Sequence, residues 1–510
     1  MMGNWLDQTI SFISPRAAVK RAHARQVLSY YEAANPGKTR KGRREAGSGN
    51  VAVSRAGTTL REQARHLEQN HDLAKGALDV LVQNTIGPAG IGIEPQPRNL
   101  DGEIHDGLAH QLGELWKDWQ KKPEVTWQHD WASCQRLLAR SWFRDGEAFN
   151  QVIEGINPYL DHGTKVPLSL EMLEADYIPL HLMSNGAASL WGVQTVSGVI
   201  VQGVEINTWG RPIGYWVYKE HPADFPVLLA SAALKRIPSG SMQHIATRHR
   251  IRQIRGVSVF ATVIARLDDL KDYEESERVA AKVAASMAAY IKKGAPDDYD
   301  ASTGGERDMR FSPGMIFDDL KPGEEIGTID TNRPNPNLET YRSGQLRAAA
   351  AGWGTTYSSV SKNYNGSYSS QRQELIEGYG AYGILSSEFG ARIVRPTYER
   401  FVAMAVAARL IKLPADLDPS TLDACLLIPP QMPWIDPEKE ANANAILEDR
   451  CYKSAPEIIR QRGGNPSDTL AQQAQWRKKK QAAGLPEVTL ASTAIEPTLA
   501  ANDAGANGNA

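Results

Sequence analysis

Cysteine is scarce and dispersed in this chain. Only Cys134, Cys425 and Cys451 occur, far apart and odd in number. That excludes a disulfide framework and the close spacing of a structural zinc site, and points to a reducing compartment. All three read as buried small hydrophobes. Neither sign of charge dominates: 57 Lys and Arg stand against 59 Asp and Glu, for a formal net charge of −2. A protein that coats nucleic acid is excluded, because such binding needs clustered cations; one that lets nucleic acid pass without holding it is not. Long apolar runs are missing as well. FVAMAVAARLI from Phe401 is too short to cross a bilayer, and MMGNWLDQTISF lacks the charged start and apolar run of a signal peptide. No membrane partner and a soluble, intracellular product are expected.

Catalytic motifs are equally thin. GKT at Gly37 resembles the end of a phosphate-binding P-loop, but Glu32 stands where that motif needs glycine and no apolar strand precedes it. Neither G-x-S-x-G nor H-E-x-x-H occurs. The eleven histidines are scattered, and even His105 and His110 miss the i, i+4 spacing of two ligands on one helix face. RDGEAF offers paired carboxylates, Asp145 and Glu147, a pairing that can serve acid/base chemistry. It reads more simply as a surface turn entering a strand. No enzyme and no cofactor is expected.

What is present is mostly helix, with a mixed α+β region in the first half. At 510 residues the chain has room for two to four domains. PGKTRKGRREAGSGN, residues 36–50, reads as a flexible arm. Leu60, Ala64, Leu67, Leu73, Ala77, Leu78 and Leu81 then recur at helical intervals until Gly87, and GIGIEPQP reads as a strand. Trp116, Trp119, Trp127, Trp131 and Trp142 crowd one region. They fit a helix pair packing rings into a core better than an aromatic ligand cage. FNQVIEG, LSLEMLE, GVIVQGVEIN and GYWVY alternate as strands, separated by turn signals such as DHG and WGRP.

From Val257 to Lys293 there is neither Gly nor Pro, and Phe260, Val263, Ile264, Leu267, Leu270, Ala280, Val283, Ala284, Met287 and Ile291 make a helical stripe. Such a helix would be about 55 Å long. Asp268, Asp269, Asp272, Glu274, Glu275 and Glu277 give it an acidic sector. With no coordination loop, this sector reads as a solvated face rather than a metal site. Arg248, Arg250, Arg252 and Arg255 form the best basic cluster, suited either to phosphate or to a neighbouring subunit. Residues 294–335 form an irregular or β-containing excursion, and a shorter helix follows. NYNGSYSSQRQELIEGY from Asn363 then enters a helix that Ser370 and Gln373 would open as a capping box. Pro396 should kink that helix before it ends near Ile411. A Pro-rich connector leads to two more helical stretches, and the composition after Gly484 is that of a disordered tail.

Taken in order, several segments resemble one family: ARHLEQNHDLAKGALDVLVQNTIGPAGIGIEP at Ala64, DGEAF at Asp145, RPIGYWVYKEHP at Arg211 and IRGVSVFATVIARLDDLKDYEESERVAAKVAA at Ile254, followed by YSSQRQELIEGY at Tyr368 and WIDPEKEANA at Trp434. From about Ser54 to Gln481 the chain is similar to the portal proteins of tailed bacteriophages, of the lambda type. HIATRHRIRQ departs from the pattern, being polar and basic where similar proteins often carry an aromatic residue.

The resemblance implies a portal fold, α+β and mostly helical, closed into a ring of typically twelve copies, which suits heterologous interfaces. It implies a division into an N-terminal arm and wing (1–255), a first stem helix (256–293), a clip (294–335) and a second stem helix (336–353). A tunnel loop (354–370), a long kinked helix returning to the wing (371–436), a crown (437–483) and a tail (484–510) complete it. The implied function is a virion conduit at one capsid vertex, through which double-stranded DNA is packaged and ejected. The implied partners are a terminase, major capsid and scaffolding proteins, and head-completion and tail proteins. In that setting Lys362, Asn363, Tyr364 and Asn365 would meet DNA in the channel, Lys362 as a transient phosphate contact or an ordinary exposed lysine, and part of the acidic sector would face the lumen. Two rivals stand beside this reading: another structural virion component, such as an adaptor or minor capsid protein, and a nucleic-acid-processing enzyme.

Overall fold

The computed structural model describes residues 14–17, 19–20, 47–184, 198–224, 233–285, 289–293, 324–328, 337–431 and 436–484. The expected arm up to residue 46, the excursion apart from 324–328, and the tail from 485 lie outside the described residues. No described helix is long and apolar enough to cross a membrane.

The apolar stripe of residues 60–81 is carried by two helices, α1 (Gly49–Asn70) and α2 (Asp72–Thr85), broken at His71, whose φ of −130° is extended. Gly49 and Asn50, expected in the arm, already belong to α1, which Ser48 caps through the Val51 N–H. Ala74, Ala77, Leu78 and Leu81 of α2 are fully enclosed in the main core. Strand β1 (Gly92–Pro95) leads to α3 (Asp106–Trp119) and α4 (Trp131–Asp145). Trp116 stacks on Trp119 at 4.7 Å and meets Trp131, Tyr398 and Phe401 edge-on, while Trp142 stacks on Phe143. The tryptophan cluster is therefore core, and truncating a ring of this kind typically costs about 3–5 kcal/mol. Trp127 is the exception, 41% exposed with Lys122 over its ring.

Two antiparallel sheets follow. β2 (Glu147–Glu154) lies between β3 (Leu168–Leu173) and β8 (Met242–Ala246), with Phe149 opposite Leu173 and Glu147 opposite Ala246. The second sheet runs β4 (Val199–Val201), β5 (Val204–Ile206), β6 (Pro212–Tyr218) and β7 (Leu234–Pro238) in sequence order. Phe149, Val204, Tyr215, Val217 and Ile237 join both sheets in a second core.

The long helix is shorter than its pattern suggests. A 3₁₀ turn at Val259–Thr262 precedes α5 (Ile264–Ala285), whose 22 residues span about 33 Å. Ala289–Lys293 is a strand, β9, pairing antiparallel with β10 (Glu324–Thr328), Ile291 opposite Ile326. Tyr290 and Ile291 favour strands as much as helices, and a cross-strand partner 35 residues away (326 − 291) decides the outcome. α6 (Leu338–Trp353) packs back along α5.

Residues 354–370 are not all loop, since α7 (Tyr357–Ser361) lies within them. α8 (Tyr368–Phe389) opens three residues earlier than the capping-box pattern suggests: Ser367 is its N-cap and accepts from the Ser370 N–H, while Gln373 turns to Glu377. Instead of a simple proline kink, a π-helical segment (Gly390–Val394) joins α8 to α9 (Arg395–Ala407), with Pro396 in the first turn of α9. The wide turn suits a residue with no N–H to give. The Ile393 carbonyl also accepts from the Thr397 hydroxyl at 2.7 Å. β11 (Cys425–Ile428) returns to pair with β1, and α10 (Pro437–Asp449), α11 (Ala455–Gln461) and α12 (Pro466–Ala482) complete the described chain. Of the three cysteines only Cys134 is buried; Cys425 is half-buried and Cys451, at a left-handed turn after α10, is exposed.

Candidate functional site

The loop between α7 and α8 is an exposed segment tied at both ends. Lys362 closes α7 in a left-handed conformation (φ 55°), and its side chain is exposed and unpaired among the described residues. The Asn363 side chain accepts from the Asn365 N–H, Gln371 of α8 donates to the Tyr364 carbonyl, and Tyr364 is 59% exposed. On the other side Glu374 of α8 takes both the N–H and the hydroxyl of Ser358. Tyr357 bonds Ser343 of α6 and lies under Arg347. The structure thus keeps Lys362, Asn363, Tyr364 and Asn365 together on one projecting loop whose span is set by α6 and α8.

The acidic sector of α5 divides by helix face. Asp268, Asp269, Asp272 and Glu275 are exposed, whereas Glu277 is buried and Glu274 bonds Arg342 of α6 at 2.6 Å. Tyr273 meets Tyr341, and Arg266 reaches Gln345, so α6 is zipped to α5 from Arg266 to Glu274. Four carboxylates remain on the free face.

The basic cluster does not act as one. Arg255 is completely enclosed and bonds Glu147 at 2.7 Å while donating to the carbonyls of Ala175, Ile178 and Gln202. It therefore reaches neither phosphate nor another subunit. Arg248 bonds the Ile254 carbonyl, Arg250 the Gly47 carbonyl, and Arg252 is exposed. RDGEAF is likewise no surface turn, because Asp145 and Glu147 are both buried. Glu147 accepts from Arg61, Arg255, His244 and the Gly256 N–H. Burial would raise its pKa, but the charge of Arg255 and the His244 hydrogen bond hold it far below the carboxylate range. Asp145 is gripped by Arg65 and Arg144, and Arg65 also bonds Glu174 and Asp176. Glu174, Asp176 and His221 stand close enough to hold a cation, yet guanidinium groups already occupy that role.

This network fixes where the chain leaves the sheets for α5. Gly146 (φ 88°) and Gly256 pack backbone against backbone: a Cβ on Gly146 would lie 2.3 Å from the Val257 carbonyl carbon, and one on Gly256 1.9 Å from the Gly146 oxygen. Only glycine fits at either place. Phe260, four residues before α5 begins, then meets Trp353 at the end of α6 edge-on. The buried ion pairs thus root the α5–α6 pair that carries the acidic face and the loop. Sequence reasoning missed them, since DGE and RIR look like surface charge and their partners are remote in the chain.

Comparison with known proteins gives three kinds of match. The family described as phage portal protein, lambda family, matches residues 35–384. A probable portal protein of Halomonas phage phiHAP-1 is 23% identical over 462 residues, covering 87% of this chain and 85% of that protein. Portal protein B of Escherichia phage lambda is 23% identical over 58% of this chain and 62% of its own length, and the portal protein of Escherichia phage N15 is 24% identical over 58% and 61%. Among solved structures, a chain from the neck of a native gene transfer agent particle aligns over 83% of this chain and 96% of its own, at 12% identity and a TM-score of 0.42.

Proposed function

This chain belongs to the lambda family of phage portal proteins, and from that premise we propose that it forms a ring of about twelve copies at one vertex of a phage capsid. The ring is the conduit through which double-stranded DNA is packaged and later ejected, and it nucleates the shell together with major capsid and scaffolding proteins. The terminase docks on the excursion beyond β9 and β10, and head-completion and tail proteins take its place there afterwards. ATP hydrolysis belongs to that motor, and this chain acts as a structural part.

The observation that carries the reading is the zipped α5–α6 pair, closed at one end by paired strands and at the other by the tethered loop. Residues 256–293 and 336–353 serve as the stem, 294–335 as the clip, 354–370 as the channel loop and 437–483 as the crown, with 1–255 and 371–436 in the wing. Asp268, Asp269, Asp272 and Glu275 line the lumen, where carboxylates repel phosphate and let DNA slide. Lys362 makes a brief phosphate contact.

Electron microscopy of the purified full chain, alone and with its scaffolding protein, tests this. Rings with a central hole wide enough for a duplex are expected; monomers under both conditions would sink the proposal. Changing the four carboxylates to lysine should leave rings intact but slow packaging, most strongly at low salt. Unchanged packaging would remove them from the lumen.

A further inference from the structure

A recess of about 970 Å³ opens between strand β8, the second sheet and the π segment. Among the described residues it is lined by four guanidinium groups, Arg248, Arg252, Arg392 and Arg400, against a single carboxylate, Glu399. Arg400 is engaged, by Glu154 at 3.3 Å and the Gly240 carbonyl at 3.0 Å. Among the described residues Arg248 has only the neutral Ile254 carbonyl and the ring nitrogen of His244. Arg252 and Arg392 have no ion pair or side-chain hydrogen bond among the described residues, though both line the same space. Although Arg248 reaches solvent, burial of its head and the like charge of Arg392 pull it below the usual arginine range, against the pull of Glu147. A cation partly stripped of water and left without an anion, as the Arg248 head is, is costly unless a partner arrives, while Arg252 and Arg392 are exposed and open to one.

The cations are also held in place. Asn50 of α1 donates to the Arg252 carbonyl and accepts from the Ile254 N–H, and the Gln253 side chain accepts from the N–H groups of His249 and Arg250. Arg252 sits at φ 63°, a conformation that costs a residue with a side chain roughly 1 kcal/mol and survives only where its surroundings impose it. Trp209, 83% exposed, lines the recess, and Ile251, 98% exposed, flanks it. An exposed tryptophan beside unpaired arginines is the composition of a protein-binding hot spot.

We propose that this recess is one half of the contact between neighbouring copies of this chain, receiving a carboxylate-bearing segment of the second copy. Arg252 and Arg392 bind its carboxylates, and Trp209 packs beside them. The proposal rests on the ring reading above. A second copy is favoured over DNA because the recess has room for a few side chains and offers them apolar walls, including Met242, Ile254 and Pro396. The same chain also exposes carboxylates of the complementary charge away from α5, Glu62, Asp101 and Glu103 among them. A head-to-tail ring needs two different surfaces of this kind on every subunit.

The test pairs Arg392→Glu with Arg252→Asn, asparagine being tolerant of the left-handed turn. Assembly is read by sedimentation and electron microscopy at a concentration where the unaltered chain is half in rings, with Tm as the control for folding. The ring fraction should fall at least about tenfold with Tm unchanged, and rings at the original level would overturn the proposal. If the unaltered chain forms no rings even with its scaffolding protein, the ring reading fails by itself. The recess is then tested with citrate: a rise in Tm that the double variant loses supports the carboxylate site, and no rise overturns it. Duplex DNA binding that the double variant loses, with assembly intact, would identify phosphate as the occupant and overturn the neighbour contact.

Discussion

Glu147 and Arg255 show how much a single residue can hold. The carboxylate has no exposure at all, and Arg255 supplies its main balancing charge. Replacing Arg255 by methionine keeps volume but leaves that carboxylate short of a partner, so stability should fall by about 3–5 kcal/mol in urea denaturation. A loss under 1 kcal/mol would mean that Arg61 and His244 suffice. His244 adds a pH dependence. Burial, only partly offset by its hydrogen bond to Glu147, holds its pKa at about 4 rather than 6.5. The unfolded chain therefore takes up this proton first as pH falls. The stability that His244 contributes is complete above pH 6.5 and is lost between 6.5 and about 4, on the order of 3 kcal/mol over the whole window. The urea midpoint should fall over that range, and His244→Gln should flatten the fall; an equal slope in both proteins would place the effect elsewhere. None of this was legible residue by residue. Arg248, Arg250, Arg252 and Arg255 look alike in RHRIRQIR, and what separates Arg255 is a partner 108 positions earlier.

Helices were legible wherever local pattern and tertiary packing agree. The stripe through Ala64, Leu67, Leu78 and Leu81 is buried as its spacing predicts. Disagreement appears where a distant segment competes, as at Ala289–Lys293, or where two local signals lie side by side, as at Ser367 and Ser370. The π segment belongs to this scale too. Proline announces a disturbance, but its form depends on Gln243 of β8, which accepts from Asn150 at 2.7 Å and donates to Thr397 at 2.9 Å. Thr397→Val removes the middle of that relay, leaving the buried Gln243 amide and the Ile393 carbonyl poorly satisfied. A loss of about 1–3 kcal/mol is expected, with faster amide exchange across residues 390–398. Exchange unchanged there would show that the wide turn is held by packing alone.

At the scale of the whole molecule, the three C-terminal helices stand apart from the rest. α10, α11 and α12 contain no buried residue, and they leave Ile446, Leu470 and Trp476 more than half exposed. Their tie to the body is electrostatic: Arg460 grips Glu94 with two hydrogen bonds, 2.8 and 2.9 Å, and Lys117 meets Asp468 at 3.1 Å. Beneath them lies an open space of about 1060 Å³ rather than a packed interface. Solvent-accessible ion pairs contribute only about 0–1 kcal/mol each, and the better shielded Glu94 pair somewhat more. Such a unit should open at a small free-energy cost while the core stays closed. In a single chain, hydrogen exchange should therefore be fast across residues 437–482 and slow in α2, and Glu94→Gln or raised salt should speed the former without touching the latter. In a ring the outcome should reverse. A crown built from neighbouring copies has to cover the apolar residues that one chain leaves bare, so assembly should slow exchange in α10–α12 more than anywhere else. Equal exchange before and after assembly would mean that these helices hang free of the ring, and residues 437–483 would lose their place as its crown.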